Sequence, residues 1–245
     1  MRDFVTCLEF LTRIRFSKRT SWSEDDFSRS VPYFPIVGLV IGVLLAIVNQ
    51  AILGLHLEPL MRVTVLILAE IMITGALMYD GFMDTADGIF SARDRDRMLE
   101  IMKDSNVGSN AVLAVIVLVL LKISAYLQLP PEELSLVLIA MSVTTRTFMV
   151  LYIVNFPYAR KEGIGSLFKK FARPVYTYIA FAIGAAIVLA SGTTLLLTSA
   201  VCFFPLMGAA WYLVKLLGGL TGDTYGALTE TGNVLFLLIF ILITG

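Results

Sequence analysis

The sequence predicts an all-α integral membrane protein of about seven transmembrane helices, with an amphipathic N-terminal helix ahead of them. Three observations predict it. Of 245 residues, 58% are hydrophobic and 16% charged, where soluble domains run near 45–50% apolar and about 25% charged. Mean hydropathy is +0.84. The apolar residues fall in long runs separated by short or glycine- and charge-rich connections. A membrane helix consumes about 20 residues, so the apolar content fills seven spans and leaves little for a soluble domain. Residues 1–245 read as one membrane domain. This composition excludes disorder, a nucleic-acid-binding tail and an ordinary cytosolic enzyme. A formal net charge of zero says nothing about partners.

Residues 1–30 hold no long apolar run, and Asp3 and Glu9 interrupt the core a signal peptide would need. Phe4, Leu8, Leu11 and Ile14 share one helical face and Arg2, Thr6, Glu9 and Arg13 another. Such a helix lies in the interface or packs under the bundle. Seven spans follow at about 33–55, 60–79, 109–129, 133–156, 174–191, 194–217 and 226–244. Three connections are short: His56–Pro59, Pro130–Glu132 and Gly192–Thr193. Three are rich in charge and glycine: 80–108, 157–173 and 218–225.

Sixteen of the 19 Lys and Arg residues fall on the side that holds the N-terminal segment and the three rich loops. Positive loops stay in the cytoplasm. The chain is therefore expected as a multi-pass protein of a prokaryotic cytoplasmic (inner) membrane, N-terminus inside, its active site in cytoplasmic-face loops. His56, the only histidine, falls on the opposite side. Cys7 and Cys202 have no metal-type spacing and predict neither a zinc site nor a disulfide framework.

The chemistry concentrates in Asp80-Gly81-Phe82-Met83-Asp84-Thr85-Ala86-Asp87-Gly88. Asp80, Asp84 and Asp87 are spaced i, i+4, i+7 and share one face of a helix. Stacked carboxylates repel unless a cation lies between them, and hard oxygen ligands with open positions suit Mg²⁺ beside a substrate phosphate. Arg93-Asp94-Arg95-Asp96-Arg97 and Lys103-Asp104-Ser105 follow; guanidinium forks beside an acidic metal cluster suit a diphosphate. The same alternating charges also suit a merely solvated loop. Arg160, Lys161 and Glu162 form a third patch, whose Lys and Arg content positive-inside bias alone would explain. Gly218-Gly219-Leu220-Thr221-Gly222-Asp223-Thr224, followed by Glu230, reads as a loop for close approach of a ligand or another backbone.

Two charges lie inside spans. Glu70 and Arg146 each sit ten residues from a cytoplasmic exit, roughly 15 Å deep at about 1.5 Å per residue. Charges at that depth need pairing, so an ion pair between them is expected. Lys122, nearer the outer end of its span, is expected to snorkel.

These motifs, in order along nearly the whole chain, resemble the cobalamin synthase family, the adenosylcobinamide-GDP ribazoletransferases. The matching pieces are Phe10-Leu11-Thr12-Arg13, Phe34-Pro35-Ile36-Val37-Gly38, Asp80-Gly81 through Gly88, and Arg93 to Arg97. Leu99 through Ser105, Tyr158-Ala159-Arg160, Glu162-Gly163 and Gly218 through Thr224 complete the set. Two positions depart from the family pattern: Met78 stands where it usually has His, and Asn233 where it commonly has an acid. The resemblance implies a Mg²⁺-dependent phosphodiester transfer from adenosylcobinamide-GDP to α-ribazole or its 5′-phosphate, with GMP released. It implies metal ligation among Asp80, Asp84, Asp87, Asp104, Asp223 and Glu230. Catalysis would fall to Asp84, Asp87, Asp104 and Asp223, without fixing which takes a proton. Substrate contacts would come from Arg93, Arg95, Lys103, Arg160, Glu162 and Gly222. The implied partners are both substrates and the lipid bilayer, with no nucleic acid; a homo-oligomer is allowed. Competing readings are a CDP-alcohol phosphotransferase, whose downstream acidic pair is missing here, and a secondary transporter using Glu70, Arg146 and Lys122.

Overall fold

The computed structural model describes residues 2–16, 24–161, 163–170 and 172–245, with Glu24, Asp25 and Ile164 as backbone only. Helices α1 (Arg2–Leu11) and α2 (Glu24–Ser30) lead through a short 3₁₀ turn (Val31–Tyr33) into α3 (Phe34–Leu53). Then come α4 (Pro59–Thr74), α5 (Leu77–Phe90), α6 (Arg95–Ile101), α7 (Ser109–Gln128) and α8 (Pro131–Asn155). The chain finishes with α9 (Ile164–Lys170), α10 (Val175–Ser191), α11 (Thr193–Leu217) and α12 (Gly222–Thr244).

A helix occupies each of the seven predicted span positions. Five candidate spans are long and apolar enough to cross a bilayer: Asp26–Leu53, α7, α8, α11 and α12. A sixth results if α4 and α5 count as one bent span. α10, at 17 residues, reaches only about 26 Å at 1.5 Å per residue.

α8 is the hub, buried along most of its length. α3 lies directly on it through Gly38 and Gly42. A Cβ on Gly38 would sit 2.5 Å from the Ser142 carbonyl oxygen, and one on Gly42 2.5 Å from the Ile139 Cα. Small residues one turn apart let membrane helices approach this closely. α1 packs under the bundle, burying Cys7, Leu8 and Leu11. Its buried face is wider than the apolar stripe, because Thr6 and Glu9 are buried too; the Glu9 carboxylate accepts the Phe16 N–H at 2.8 Å.

The largest departure from the predicted layout is the end of the second span. The sequence reads 60–79 as one apolar run, but α4 stops at Thr74. Gly75 (φ 66°) and Ala76 (φ 59°) take left-handed conformations, and α5 leaves at 93° to α4. The Arg13 backbone N–H donates to the Ile73 carbonyl at 2.7 Å, and its side chain fills the space where a Gly75 Cβ would lie. The aspartate segment is therefore helix, not loop. Likewise α6 and α9 form inside the connections expected at 80–108 and 157–173.

The break also explains why the expected Glu70–Arg146 pair is not formed. Depth counted along a straight helix does not carry across a 93° turn. Glu70 binds Lys122 instead: Lys122 Nζ donates to its two carboxylate oxygens at 2.9 and 2.8 Å and to Glu230 Oε2 at 2.9 Å. Nζ also lies 2.8 Å from the Tyr79 hydroxyl. Lys122 does not snorkel; its side chain is fully buried. Arg146 lies within electrostatic reach of the same carboxylates, and its Nη1 donates to Thr145 Oγ1 at 3.1 Å. The result is a buried set of two acids and two bases joining α4, α7, α8 and α12, with Tyr79 bringing in α5; the Arg146 Nε has no hydrogen-bond partner in it.

Candidate active site

At the end of the bundle where α3 and α12 begin and α8 and α11 finish, four segments meet. α5 and α12 touch backbone to backbone: a Cβ on Gly81 would sit 2.7 Å from the Asp223 carbonyl oxygen, and one on Gly226 2.9 Å from that of Met78. This contact sets the acidic face of α5 beside Asp223. Thr221 starts α12 with a reciprocal cap: its hydroxyl accepts the Thr224 N–H, and the Thr224 hydroxyl accepts the Thr221 N–H at 2.7 Å.

Gly218 (φ 74°) and Gly219 (φ 158°) turn the chain so that Leu220 bridges the 157–159 segment. Ala159 N–H donates to the Leu220 carbonyl and Leu220 N–H to the Pro157 carbonyl, both at 2.8 Å. Arg95 clamps the join. Its Nε donates to the Leu217 carbonyl at 2.8 Å and its Nη2 to the Ala159 carbonyl at 3.3 Å. The expected phosphate fork Arg95 is thus largely committed to backbone, with Nη1 on Asp96 at 2.8 Å.

Arg160 is held differently. Its Nη1 pairs with Asp223 Oδ2 at 2.8 Å, while its Nε and Nη2 are buried with no hydrogen-bond partner. A buried guanidinium with open donors is costly unless an acceptor fills the site. Facing it, the half-buried Asp84 carboxylate feels the charges of Asp80, Asp87 and Asp223, with Arg160 alone opposing them. Asp80 is exposed. Burial holds the Tyr158 phenol above its ordinary value, so it stays neutral beside Arg160.

A cavity of about 210 Å³ opens here, its walls including Asp80, Tyr158, Arg160, Gly222 and Asp223. A cleft of about 460 Å³, lined by Arg95, Lys103, Arg160 and Lys161 among others, adjoins it at Arg160. Two other cavities, of about 430 and 620 Å³, are lined by apolar and uncharged side chains with no titratable group.

The structure brings Asp80, Asp84, Asp223, Arg160 and Gly222 together, and gives other predicted residues different surroundings. Both Asp87 oxygens accept backbone N–H groups, from Gly108 at 2.6 Å and Ala111 at 2.8 Å. Asp87 therefore caps α7 across 21 residues of chain. Asp104 is exposed and binds the Asn106 backbone N–H and side-chain amide at 3.0 and 2.7 Å. Glu230 is buried against Lys122. Arg93 is exposed. Glu162 lies outside the described residues. Tyr158, for which the sequence predicts no role, lines the cavity as well, and its place in Tyr-Ala-Arg, two residues before Arg160, is the signal for it. Met78 lines the cavity, and Asn233 joins the buried ionic set, its Nδ2 donating to Glu230 at 3.4 Å.

Among the described residues, no three His, Cys, Asp or Glu side chains close a metal shell by themselves. Mg²⁺ does not require that. It is usually held by one or two carboxylates plus substrate phosphates and water. Asp80, Asp84 and Asp223 supply hard oxygen donors that crowd one another, so they fit an ion whose shell a phosphate completes.

A family model described as cobalamin-5-phosphate synthase matches residues 3–241. The chain belongs to that family. Among its relatives, the adenosylcobinamide-GDP ribazoletransferase of Clostridium novyi (strain NT) is 35% identical, covering 97% of this chain and 96% of its own. Proteins of the same name in Brevibacillus brevis and Escherichia coli (strain K12 / DH10B) are each 38% identical. They cover 98% and 96% of this chain, and 98% and 97% of their own length. No solved structure matches. The chain is therefore an enzyme, a transferase of this membrane family, as the ordered motifs led one to expect.

Proposed function

We propose that the chain joins adenosylcobinamide-GDP to α-ribazole, or to α-ribazole 5′-phosphate, releasing GMP and forming adenosylcobalamin or its 5′-phosphate. One observation carries the placement of the chemistry. In a member of this family, Asp80 and Asp223 line a cavity with Arg160, whose open donors lack partners where that cavity adjoins a cleft, and Asp84 lies within electrostatic reach of all three. The 3′-hydroxyl oxygen of the ribazole forms a bond to the phosphorus carried by cobinamide. The bond from that phosphorus to the GMP oxygen breaks, and the hydroxyl proton passes to a carboxylate.

Asp84 is the fitting acceptor of that proton, being half-buried and aligned with neither a helix cap nor a lysine. Imidazole is not available for the task, because His56 follows the far end of α3, about 30 Å of helix away at 1.5 Å per residue. Arg160 binds the phosphoryl oxygens through its free Nε and Nη2 and stabilises the charge that grows there. Mg²⁺, held by Asp80 or Asp223 together with the substrate phosphates, would neutralise charge on the diphosphate. Arg95 and the Leu220–Ala159 pairing keep Arg160 in place. This end of the bundle carries most of the basic residues, so it faces the cytoplasm, with the N-terminus inside and the spans in the cytoplasmic membrane of a prokaryote.

The test is GMP release from adenosylcobinamide-GDP and α-ribazole by purified protein in detergent. Release with Mg²⁺ that stops on chelation and returns when Mg²⁺ is restored supports the proposal. No release under any metal condition refutes it.

A further inference from the structure

We propose that the two spaces meeting at Arg160 are separate substrate sites. The cavity takes the flat, uncharged base of the acceptor nucleoside, with the Tyr225 hydroxyl as its hydrogen-bond partner. The cleft takes the nucleotide that leaves. This inference rests on the transferase reading above and deepens it.

The cavity has a polar mouth and an aromatic interior. Its mouth is Asp80, Arg160 and Asp223; its interior includes Phe10, Phe34, Phe168, Met149, Ile153 and Tyr225. The Phe10, Phe34 and Phe168 rings come from three separate elements and pack edge to face. Phe168 stands 4.9 Å from Phe10 and 5.5 Å from Phe34 between ring centroids. A rigid aromatic wall of this kind suits a planar apolar ring and offers nothing to a phosphate.

Tyr225 supplies the second, independent observation. It lines the same cavity and is only 4% exposed, yet its hydroxyl has no hydrogen-bond partner. Buried hydroxyls are nearly always paired, and an unpaired one costs stability. A ring nitrogen or ribose hydroxyl of the nucleoside would pair it. With the base inside, the ribose lies at the mouth, where the carboxylates are.

The cleft has the opposite character. Arg95, Lys103, Lys161 and Arg160 line it with Asp96 and Glu100. It suits phosphate and a polar purine edge. Arg160 is the one residue common to both linings. A displacement at phosphorus needs the attacking oxygen to enter and the leaving oxygen to depart in line. A guanidinium shared by an acceptor site and a nucleotide site stands where that phosphorus must lie.

The experiment compares KM values for the two substrates, measured separately on variants that keep the wild-type melting temperature. Tyr225→Phe keeps the ring and removes the hydroxyl; it should raise KM for α-ribazole by about three- to tenfold. KM for adenosylcobinamide-GDP should move by less than about twofold. Phe10→Leu, at a half-buried wall position, provides the same reading should Tyr225→Phe fail to fold. Lys161→Ala should do the converse, raising KM for adenosylcobinamide-GDP alone. Either class of variant shifting both KM values equally, or shifting the wrong one, overturns the two-site assignment while leaving the transferase reading intact. A wild-type protein that releases no GMP refutes the transferase reading itself.

Discussion

Two clusters of ionised side chains lie in this protein, each setting carboxylates against basic groups and differing in how the charges balance. In the bundle interior, Glu70 and Glu230 face Lys122 and Arg146, acid balanced by base, and Lys122 Nζ spends its donors on protein oxygens. At the end of the bundle, Asp80, Asp84 and Asp223 gather around Arg160, which leaves two donors open. In the first cluster acids and bases balance and the Arg146 Nε is the donor left unpartnered, away from any charged cavity; the second holds an excess of acid and opens on a cavity and a cleft, so it calls for a cation and an anionic ligand. What marks a working site here is unfinished electrostatics next to a cavity, not the number of charges.

The comparison breaks most visibly at Lys122. Replacing it with Met leaves two buried carboxylates with Arg146 alone, a loss that typically reaches ~3–5 kcal/mol. The melting temperature of Lys122→Met in detergent should fall steeply. Adding Glu230→Gln should recover part of the loss, because one stranded charge is gone. A double variant that loses the sum of the two single effects would show that the acids and the lysine act independently.

Arg160 sharpens the other side. Arg160→Lys keeps the charge and removes the planar fork, so KM for adenosylcobinamide-GDP should rise roughly tenfold with little change in melting temperature. An unchanged KM would assign Arg160 to the Asp223 pair alone.

Asp87 divides the two behaviours within one helix. As a cap on α7, Asp87→Asn should cost about 1 kcal/mol of stability and only a modest share of turnover. Loss of turnover comparable to that of Asp84→Asn, at normal stability, would return Asp87 to the metal site.

Much of this was legible in the residues. The seven apolar runs mark where helices lie, because long hydrophobic stretches have few alternatives in a membrane, but five of those helices, or six with the bent pair, are long and apolar enough to span. The i and i+4 aspartates and the glycine-rich Gly218–Gly222 run do come together, because the Gly81–Asp223 backbone contact sets α5 on α12; the i+7 aspartate, Asp87, turns to the α7 N-terminus instead. The bend at Gly75–Ala76 was hidden, since apolar text runs through it and the Arg13 contact that fixes it comes from far along the chain. The roles of Asp87 and Lys122 were hidden for a related reason. Their partners, the α7 N-terminus and the acids on α4 and α12, are set by tertiary packing, whereas helical spacing reports only neighbours on one face.

The proposed transfer at the unbalanced aspartate–arginine cluster makes Asp84 indispensable to turnover and dispensable to folding. Its most direct test is GMP release by Asp84→Asn beside wild type, with saturating Mg²⁺ and both substrates. Turnover should drop at least ~10²-fold while the melting temperature stays at the wild-type value. Near-normal turnover in a folded Asp84→Asn protein would contradict the account.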